Sequence, residues 1–318
     1  MNCLVSCVGI STLLISPALA QVNGPGPSPA ADFDTVLNLP EDQAGLGDFT
    51  SIGTAEQTFQ VNIDEDGSIG DDSDARSGAE VNVRGGILGS RFMAGSGSEV
   101  NISGGTVGVS FQALAGSLVT ISGGTVNDSL EIGADSEVNI SGGNISDTVA
   151  SGSVNISGGT IDSLLQVNSG SEVTITGGSL DAISASGGSQ VNLIGREFFV
   201  DGQALDTLVP GEALTVTVRD GSITGLLADG QPFSFPLNTG FSVNGNFSSN
   251  ATLTVTLDAS VLLGDVNRDG LVNFLDIAPF IGILSAGGVQ AEADINQDGV
   301  VNFLDIAPFI GVLTTAAG

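Results

Sequence analysis

The residue types that carry much of enzyme chemistry are missing from this chain. It contains no His, Lys, Trp or Tyr in 318 residues, and its six basic residues are all Arg. Without His or Lys there is no imidazole base, no imidazole metal ligand and no ammonium nucleophile. Without Trp or Tyr the chain lacks the flat platforms that usually line carbohydrate clefts. Against the six cations stand 36 acids, a formal charge of −30. Such a polyanion repels nucleic-acid phosphates and acidic membrane surfaces, so neither is an expected partner; divalent cations are attracted instead. Charged residues make up only 13% and hydrophobic ones 41%, so the chain has material for a core and is not a disordered acidic tail.

Cysteine is scarce as well. Cys3 and Cys7 both lie in residues 1–20. There an apolar stretch from Val8 to Ile15 precedes Pro17 and the small-residue site Ala18-Leu19-Ala20. This is the form of a secretory signal peptide cleaved before Gln21, although its leading segment has no Lys or Arg. Leu4-Val5-Ser6-Cys7 has the composition of a lipoprotein box but precedes the apolar core instead of following it. The run is too short to cross a bilayer, so membrane insertion is not expected. A secreted chain without disulfides needs another stabiliser, and repetition and metal are the candidates. Residues 21–60 read as a linker and N-terminal cap, because Gly24-Pro25-Gly26-Pro27-Ser28-Pro29 cannot form a helix or a central strand.

What the chain has in abundance is Gly, at 47 positions, and much of it recurs in pairs. Val81-Asn82-Val83-Arg84-Gly85-Gly86 returns as Val100-Asn101-Ile102-Ser103-Gly104-Gly105. Further copies start at Val119, Val138, Val154 and Val173, with a worn one at Val191 and an early one at Val61. The step is about nineteen residues. Within each unit the period is two, so Val100 and Ile102 share a face while Asn101 and Ser103 point away. The Gly pair makes a corner, and a short strand such as Thr106-Val107 follows. A third apolar stretch (Phe111, Leu114; Leu130, Ile132; Leu164, Val167) closes the unit.

Three strand-length pieces per unit suit one coil of a right-handed parallel β-helix, a β-solenoid in which stacked coils share one core. A propeller or sandwich needs antiparallel strands or longer units. The solenoid is expected over residues 61–200. Residues 201–260 keep strand-like alternation without the Gly pairs and are expected to cap the open end. Asn82, Asn101, Asn139, Asn155 and Asn192, with Thr120 and Thr174, form a column read as a structural hydrogen-bonding ladder rather than a ligand site. Asp64, Glu65, Asp66, Asp71, Asp72 and Asp74 are the densest acids, either a further cation site or a solvated cap.

The sharpest chemical signal lies in residues 261–318. Asp265, Asn267, Asp269, Asn273 and Asp276 occupy positions 1, 3, 5, 9 and 12 of a twelve-residue loop, with Gly270 at position 6. Asp294, Asn296, Asp298, Asn302 and Asp305 repeat the pattern. Calcium takes six to eight hard oxygen ligands, and this spacing wraps them round one ion, with Leu271 and Val300 supplying main-chain carbonyls at position 7. Two bound Ca2+ ions are expected. After each loop the apolar spacing of Ile277, Phe280, Ile281 and Leu284, and of Ile306, Phe309, Ile310 and Leu313, marks a helix face. Pro279 and Pro308 fall in the first turn, where a missing amide hydrogen costs nothing. No helix is expected before either loop.

A duplicated loop-then-helix calcium motif of this kind resembles the type I dockerin. That resemblance implies two half EF-hands related by a pseudo-twofold axis, calcium at the loop positions just named, and attachment to a cohesin domain. Residues Val272–Gly282 and Val301–Gly311 are identical, which suits a partner able to bind either way round. One departure concerns loop positions 10 and 11, where the family usually presents small polar residues. Here they are Phe274-Leu275 and Phe303-Leu304, expected to pack the two motifs against each other.

The expected protein is therefore a secreted, extracellular or cell-surface β-solenoid scaffold or adhesin. Its dockerin-like module would tether it to a cohesin-like or other extracellular protein, with a polysaccharide as a further possible ligand. The alternative is a dockerin-bearing polysaccharide lyase or glycoside hydrolase. The few scattered Arg and the absence of a recurring acidic pair argue against it.

Overall fold

The structure is a computed structural model that describes residues 33–316 except 55–56, 206–207, 239–244, 259–261, 269–270, 287–289, 297 and 299. The expected signal peptide, the Gly-Pro stretch and Asp269 lie outside the described residues. The chain divides into two compact units, residues 1–153 and 154–318.

In the first unit the Val/Ile repeats stack as parallel strands in strict register. Leu39 aligns with Ile63, Ile63 with Val83, Val83 with Ile102, Ile102 with Ile121 and Ile121 with Ile140. Because side chains alternate across a strand, this register sends one apolar set inward at every level. Val100, Ile102, Val119, Ile121, Val138 and Ile140 are all buried. Each fully buried Val or Ile contributes roughly 1.5–3 kcal/mol, and only a stack of coils removes both edges of such a face from water. Stacking starts before the Gly-pair repeats, since Thr35–Leu39 already pairs with Phe59–Ile63. The expected linker region thus contains the first strand of the solenoid.

A second column runs through Ser68–Ile69, Ile87–Leu88 and Thr106–Val107. A third runs through Ser51–Ile52, Asp74–Ala75, Met93–Ala94 and Phe111–Ala113. In this third column the inward pair is Phe111 and Ala113, whereas Leu114 is exposed; likewise Leu165 and Val167 are buried and Leu164 is not. Strict alternation within the strand overrides the larger hydrophobe one position away. At the level of residues 148–150 the inward position aligned with Leu130 is Thr148. Its hydroxyl is buried without a hydrogen-bond partner. Burying an unpaired hydroxyl costs about 1–3 kcal/mol. Thr148→Val keeps the shape and removes that cost, so it should raise stability by about 1–2 kcal/mol, read as a later urea midpoint with an unchanged slope. An earlier midpoint would mean that the hydroxyl has a partner.

The outward column is the ladder expected from the repeats. The Asn62 amide donates to Asn38 Oδ1 at 2.8 Å, Asn82 to Asn62 at 3.0 Å and Asn101 to Asn82 at 3.1 Å. The neighbouring acids are drawn in as acceptors: Glu80 from Asn82 at 2.6 Å, Glu99 from Asn101 at 2.9 Å and Glu137 from Asn139 at 3.1 Å. One corner was not foreseen. Phe49, Asp72, Arg91, Ser110 and Asp128 adopt left-handed φ values of 57–61°. Phe49, Asp72 and Arg91 there donate their amides to main-chain carbonyls of the next coil. Nothing in their identity signals this.

In the second unit Glu172–Ile175 aligns with Gln190–Leu193, and Gln190–Gly195 with Thr252–Leu257, again in parallel. Between them the chain turns antiparallel. Gly195–Val200 pairs with Ile223–Leu227, and Ser222–Leu226 with Pro232–Pro236. The region expected to cap the coils is therefore an antiparallel excursion followed by a returning parallel strand. Arg219 pins it, donating to the carbonyls of Val216, Val218, Ser248 and Ala251. Burial pushes the Arg219 pKa down. The unit ends in helices α1 (Ile277–Ala286) and α2 (Ile306–Ala316).

Candidate calcium and docking site

Residues 262–314 carry their own small core. Val266, Phe280, Ala293, Ile295, Val301, Phe309 and Leu313 are buried together, with Leu263, Val272, Ile283, Leu284, Ile306 and Val312 packed around them. Phe280 of α1 and Phe309 of α2 are equivalent positions of the repeat, and their rings stack at 4.0 Å between centroids. The helix faces read from the sequence meet here only in part: Phe280, Leu284, Ile306, Phe309 and Leu313 pack inward, joined by Ile283 and Val312, whereas Ile277, Ile281 and Ile310 are exposed. Short turns occupy the place of an entering helix before each loop.

The two loops share one geometry. Asp276, at position 12, is fully buried, and its carboxylate accepts the amides of Asn267 at 2.9 Å and Asn273 at 2.8 Å. Asp305 does the same with Asn296 at 3.1 Å and Asn302 at 2.9 Å. Positions 3 and 9 are thus drawn to position 12 in each copy. Asn273 also accepts the Leu275 amide at 2.8 Å, as Asn302 accepts that of Leu304. Asn and Asp therefore form a capping box that starts the helical segment and closes the loop together. In the second loop Asp294 Oδ1 and Asn296 Oδ1 both accept the Asp298 amide, at 3.1 and 2.9 Å. The side chains of positions 1 and 3 thus converge on the position-5 amide, and Asn296 Nδ2 donates to Asp298 Oδ2 at 3.0 Å. Asn302 Nδ2 reaches the Val300 carbonyl at 3.2 Å.

Among the described residues, no three acidic side chains are gathered tightly enough to make a metal site from carboxylates alone. The donor set is mixed instead, with Asn oxygens and a main-chain carbonyl beside the Asp groups, which is what a hard cation such as calcium takes. Residues 277–318 contain no Arg, so the acids of the second loop have no cation in their own segment. Among the described residues the two fully buried carboxylates are met by backbone amides, an environment that a divalent ion would suit. Calcium, when bound, neutralises the carboxylates and fixes the loop.

The dense acidic group near the N-terminus is arranged differently. Arg91 forms a two-pronged pair with Asp72 at 2.5 Å, Arg76 meets Asp74 at 2.6 Å, and Arg84 lies 3.8 Å from Asp64. The hydrogen bond to Arg91 holds the Asp72 carboxyl below its usual range. Asp71 accepts the Ser90 amide at 2.7 Å. Asp64, Asp72 and Asp74 are thus each paired with a guanidinium group, Asp74 also accepts from the Ser51 hydroxyl at 2.6 Å, and Asp71 accepts a backbone amide.

One expectation is overturned. Phe274 and Leu275 are 74% and 68% exposed, and Phe303 and Leu304 are 80% and 67% exposed. They do not pack the motifs together. The stacked Phe280–Phe309 pair already fills that space, and the capping box turns positions 10 and 11 outward. Leu271 and Val300 are also exposed, as befits residues that offer a carbonyl rather than a side chain. An unforeseen ion triad joins this region to the β-strands. Arg268 bonds Glu292 at 3.0 Å and Glu197 at 2.9 Å. Burial pushes the Glu197 carboxyl up, and Arg268 pulls it partly back. Glu197 is 71 residues from Arg268 in sequence, too far for any local pattern to link them.

Among the described residues no helix is long and apolar enough to cross a membrane. No curated protein and no solved structure matches the chain. Residues 263–313 match the family model described as the Dockerin type I domain, and this span holds both loops, all of α1 and most of α2. Dockerins bind calcium, occur in extracellular cellulosome components and attach to cohesin partners. With two copies of the loop, the cap and the stacked helix inside that match, the C-terminal segment of this chain is a dockerin type I module.

Proposed function

We propose that this chain is a secreted, non-catalytic β-solenoid scaffold. Its dockerin module, with one calcium ion in each loop, tethers it to a cohesin-like partner outside the cell. In this reading Asp265, Asn267, Asp269, Asn273 and Asp276, with the Leu271 carbonyl, hold the first ion. Asp294, Asn296, Asp298, Asn302 and Asp305, with the Val300 carbonyl, hold the second. The observation that carries the docking role is the exposure of Phe274, Leu275, Phe303 and Leu304 at equivalent places in identical segments. Large apolar side chains left in water at paired positions are what a partner's surface can cover. The scaffold role is supported by the coil faces, whose Asn and Glu side chains are committed to one another along the ladder.

The partner's contact face should be apolar, unlike one that reads small hydroxyl side chains. Because the two halves are identical here, Phe274→Ser or Phe303→Ser alone should leave most binding intact. Both together should weaken it by about 2–4 kcal/mol, the range of a buried aromatic anchor. The loss would be read by calcium-dependent capture of the partner from secreted protein. Folding stability should move by no more than about 0.5 kcal/mol, since exposed positions are being changed. Capture by the double variant at wild-type strength, or capture that survives chelation, would rule this docking surface out.

A further inference from the structure

Arg268 stands at position 4 of the first calcium loop, in the left-handed conformation at φ 61°. Its guanidinium spans both oxygens of Glu292, at 3.0 and 3.2 Å, and also reaches Glu197 at 2.9 Å. The Glu292 side chain is 5% exposed, that of Glu197 17% and that of Arg268 27%. Glu197 belongs to the strand Gln190–Val200, which holds both the returning strand Thr252–Leu257 and the antiparallel excursion. Glu292 lies two residues before the second loop, and its carbonyl accepts the amide of Gly264, the residue before the first loop. One side chain thus joins the β-strands, the first loop and the entrance to the second. The equivalent residue of the second loop is Gln297, which carries no charge.

We propose that the Glu197–Arg268–Glu292 clasp couples calcium loading of the first loop to the seating of the module on the β-strands; this rests on the calcium reading of the loops given above. A twelve-residue loop loses conformational entropy when it closes round an ion. Holding position 4 in its left-handed conformation beforehand removes part of that loss, so the clasp raises the affinity of the first loop. Linkage is reciprocal: an ion that favours the clasped loop tightens the clasp by the same factor. The pairing is two-pronged and half-buried, and breaking it strands a carboxylate that is almost fully enclosed. The two loops, alike in sequence at their ligand-type positions, therefore differ in function. Residues 272–282 and 301–311 are identical, yet only the first loop senses whether the module is seated.

The test is calcium calorimetry on the full chain, comparing wild type with Glu197→Gln, which keeps the shape and removes the charge. One of the two binding steps should weaken about five- to tenfold, within the range of ordinary site-to-site coupling. The other should stay within about twofold, the scatter of an uncoupled site. In saturating calcium the Gly264 amide should exchange its hydrogen faster in the variant by a similar factor. Arg268→Lys guards against misfolding, since it keeps the charge but loses the fork; its affinity should fall between the other two. If both steps and the Gly264 exchange match wild type in Glu197→Gln and in Arg268→Lys, the coupling is refuted while the calcium loops stand. A wild-type chain that takes up no calcium overturns the loops and the clasp together.

Discussion

Replacing Asp276 and Asp305 together by Ala is expected to abolish calcium uptake and to melt α1 and α2. Each carboxylate is fully buried and accepts two backbone amides, from positions 3 and 9 of its loop. Truncation leaves those amides without an acceptor, at about 1–3 kcal/mol for each buried group. It also removes the carboxylate that we propose as the calcium ligand at position 12 and half of the capping box, and a lost cap costs about 0.5–2 kcal/mol. The calcium contribution disappears as well, about 4 kcal/mol per site when the ion is at a thousand times its Kd. Among the described residues the module's core holds seven buried hydrophobic residues, a core too small to absorb such losses. Far-ultraviolet circular dichroism should lose its helical component while the strand signal of the rest of the chain persists. Chelating the calcium of the wild type should produce the same spectrum. A double variant that keeps both its helices and its calcium would show that the position-12 carboxylates neither hold the ion nor start the helices.

Gly105→Val is expected to be among the most damaging single changes in the first unit. Gly105 sits at φ +72°, and a Cβ there would lie 2.2 Å from the Gly85 carbonyl oxygen and 2.7 Å from that of Gly86. Those atoms are backbone of the coil below, so they cannot swing aside as a side chain would. A left-handed β-branched residue costs about 1–3 kcal/mol, and overpacking against fixed neighbours adds a similar amount. The expected loss is about 3–5 kcal/mol by the same reckoning, measured as the shift of the urea midpoint. Gly170→Ala provides the comparison. Gly170 also has a left-handed φ of +86°, but nothing lies within 4 Å of its Cβ position. It should cost only about 1 kcal/mol, the conformational part alone. Equal losses at the two sites would mean that strain, not coil-on-coil contact, sets the requirement for Gly.

These two predictions draw on different kinds of information. The Gly pairs, the Val-x-Ile alternation and the twelve-residue loops each repeat, and repetition made them legible before any coordinates. Where the signal was a single residue it misled. Leu114 and Leu164 belong to the third apolar stretch of their units, yet Ala113 and Leu165 occupy the inward positions. Strand phase decides which face a residue takes, and a third strand of two or three residues is too short to show its phase in sequence. The apolar character of Phe274 and Phe303 suggests packing between the motifs, but it does not reveal which way they face. Their loop positions, on the outer side of a capping box, turn them to solvent.

The amino-acid sequence by itself determined the period of the coils, the polar ladder, the paired calcium-type loops and the exclusion of His- and Lys-based chemistry. Each follows from residue type at fixed spacing, which is local information. Only the tertiary structure decided three other matters. It showed that the apolar pairs of the module face outward, that Asp64, Asp72 and Asp74 near the N-terminus pair with Arg84, Arg91 and Arg76, and that Glu197 meets Arg268. The common physical reason is that each depends on which groups compete for one place in space. A carboxylate 71 residues away, or a stacked ring already filling the gap between two helices, leaves no mark on the spacing of the residues it displaces or binds.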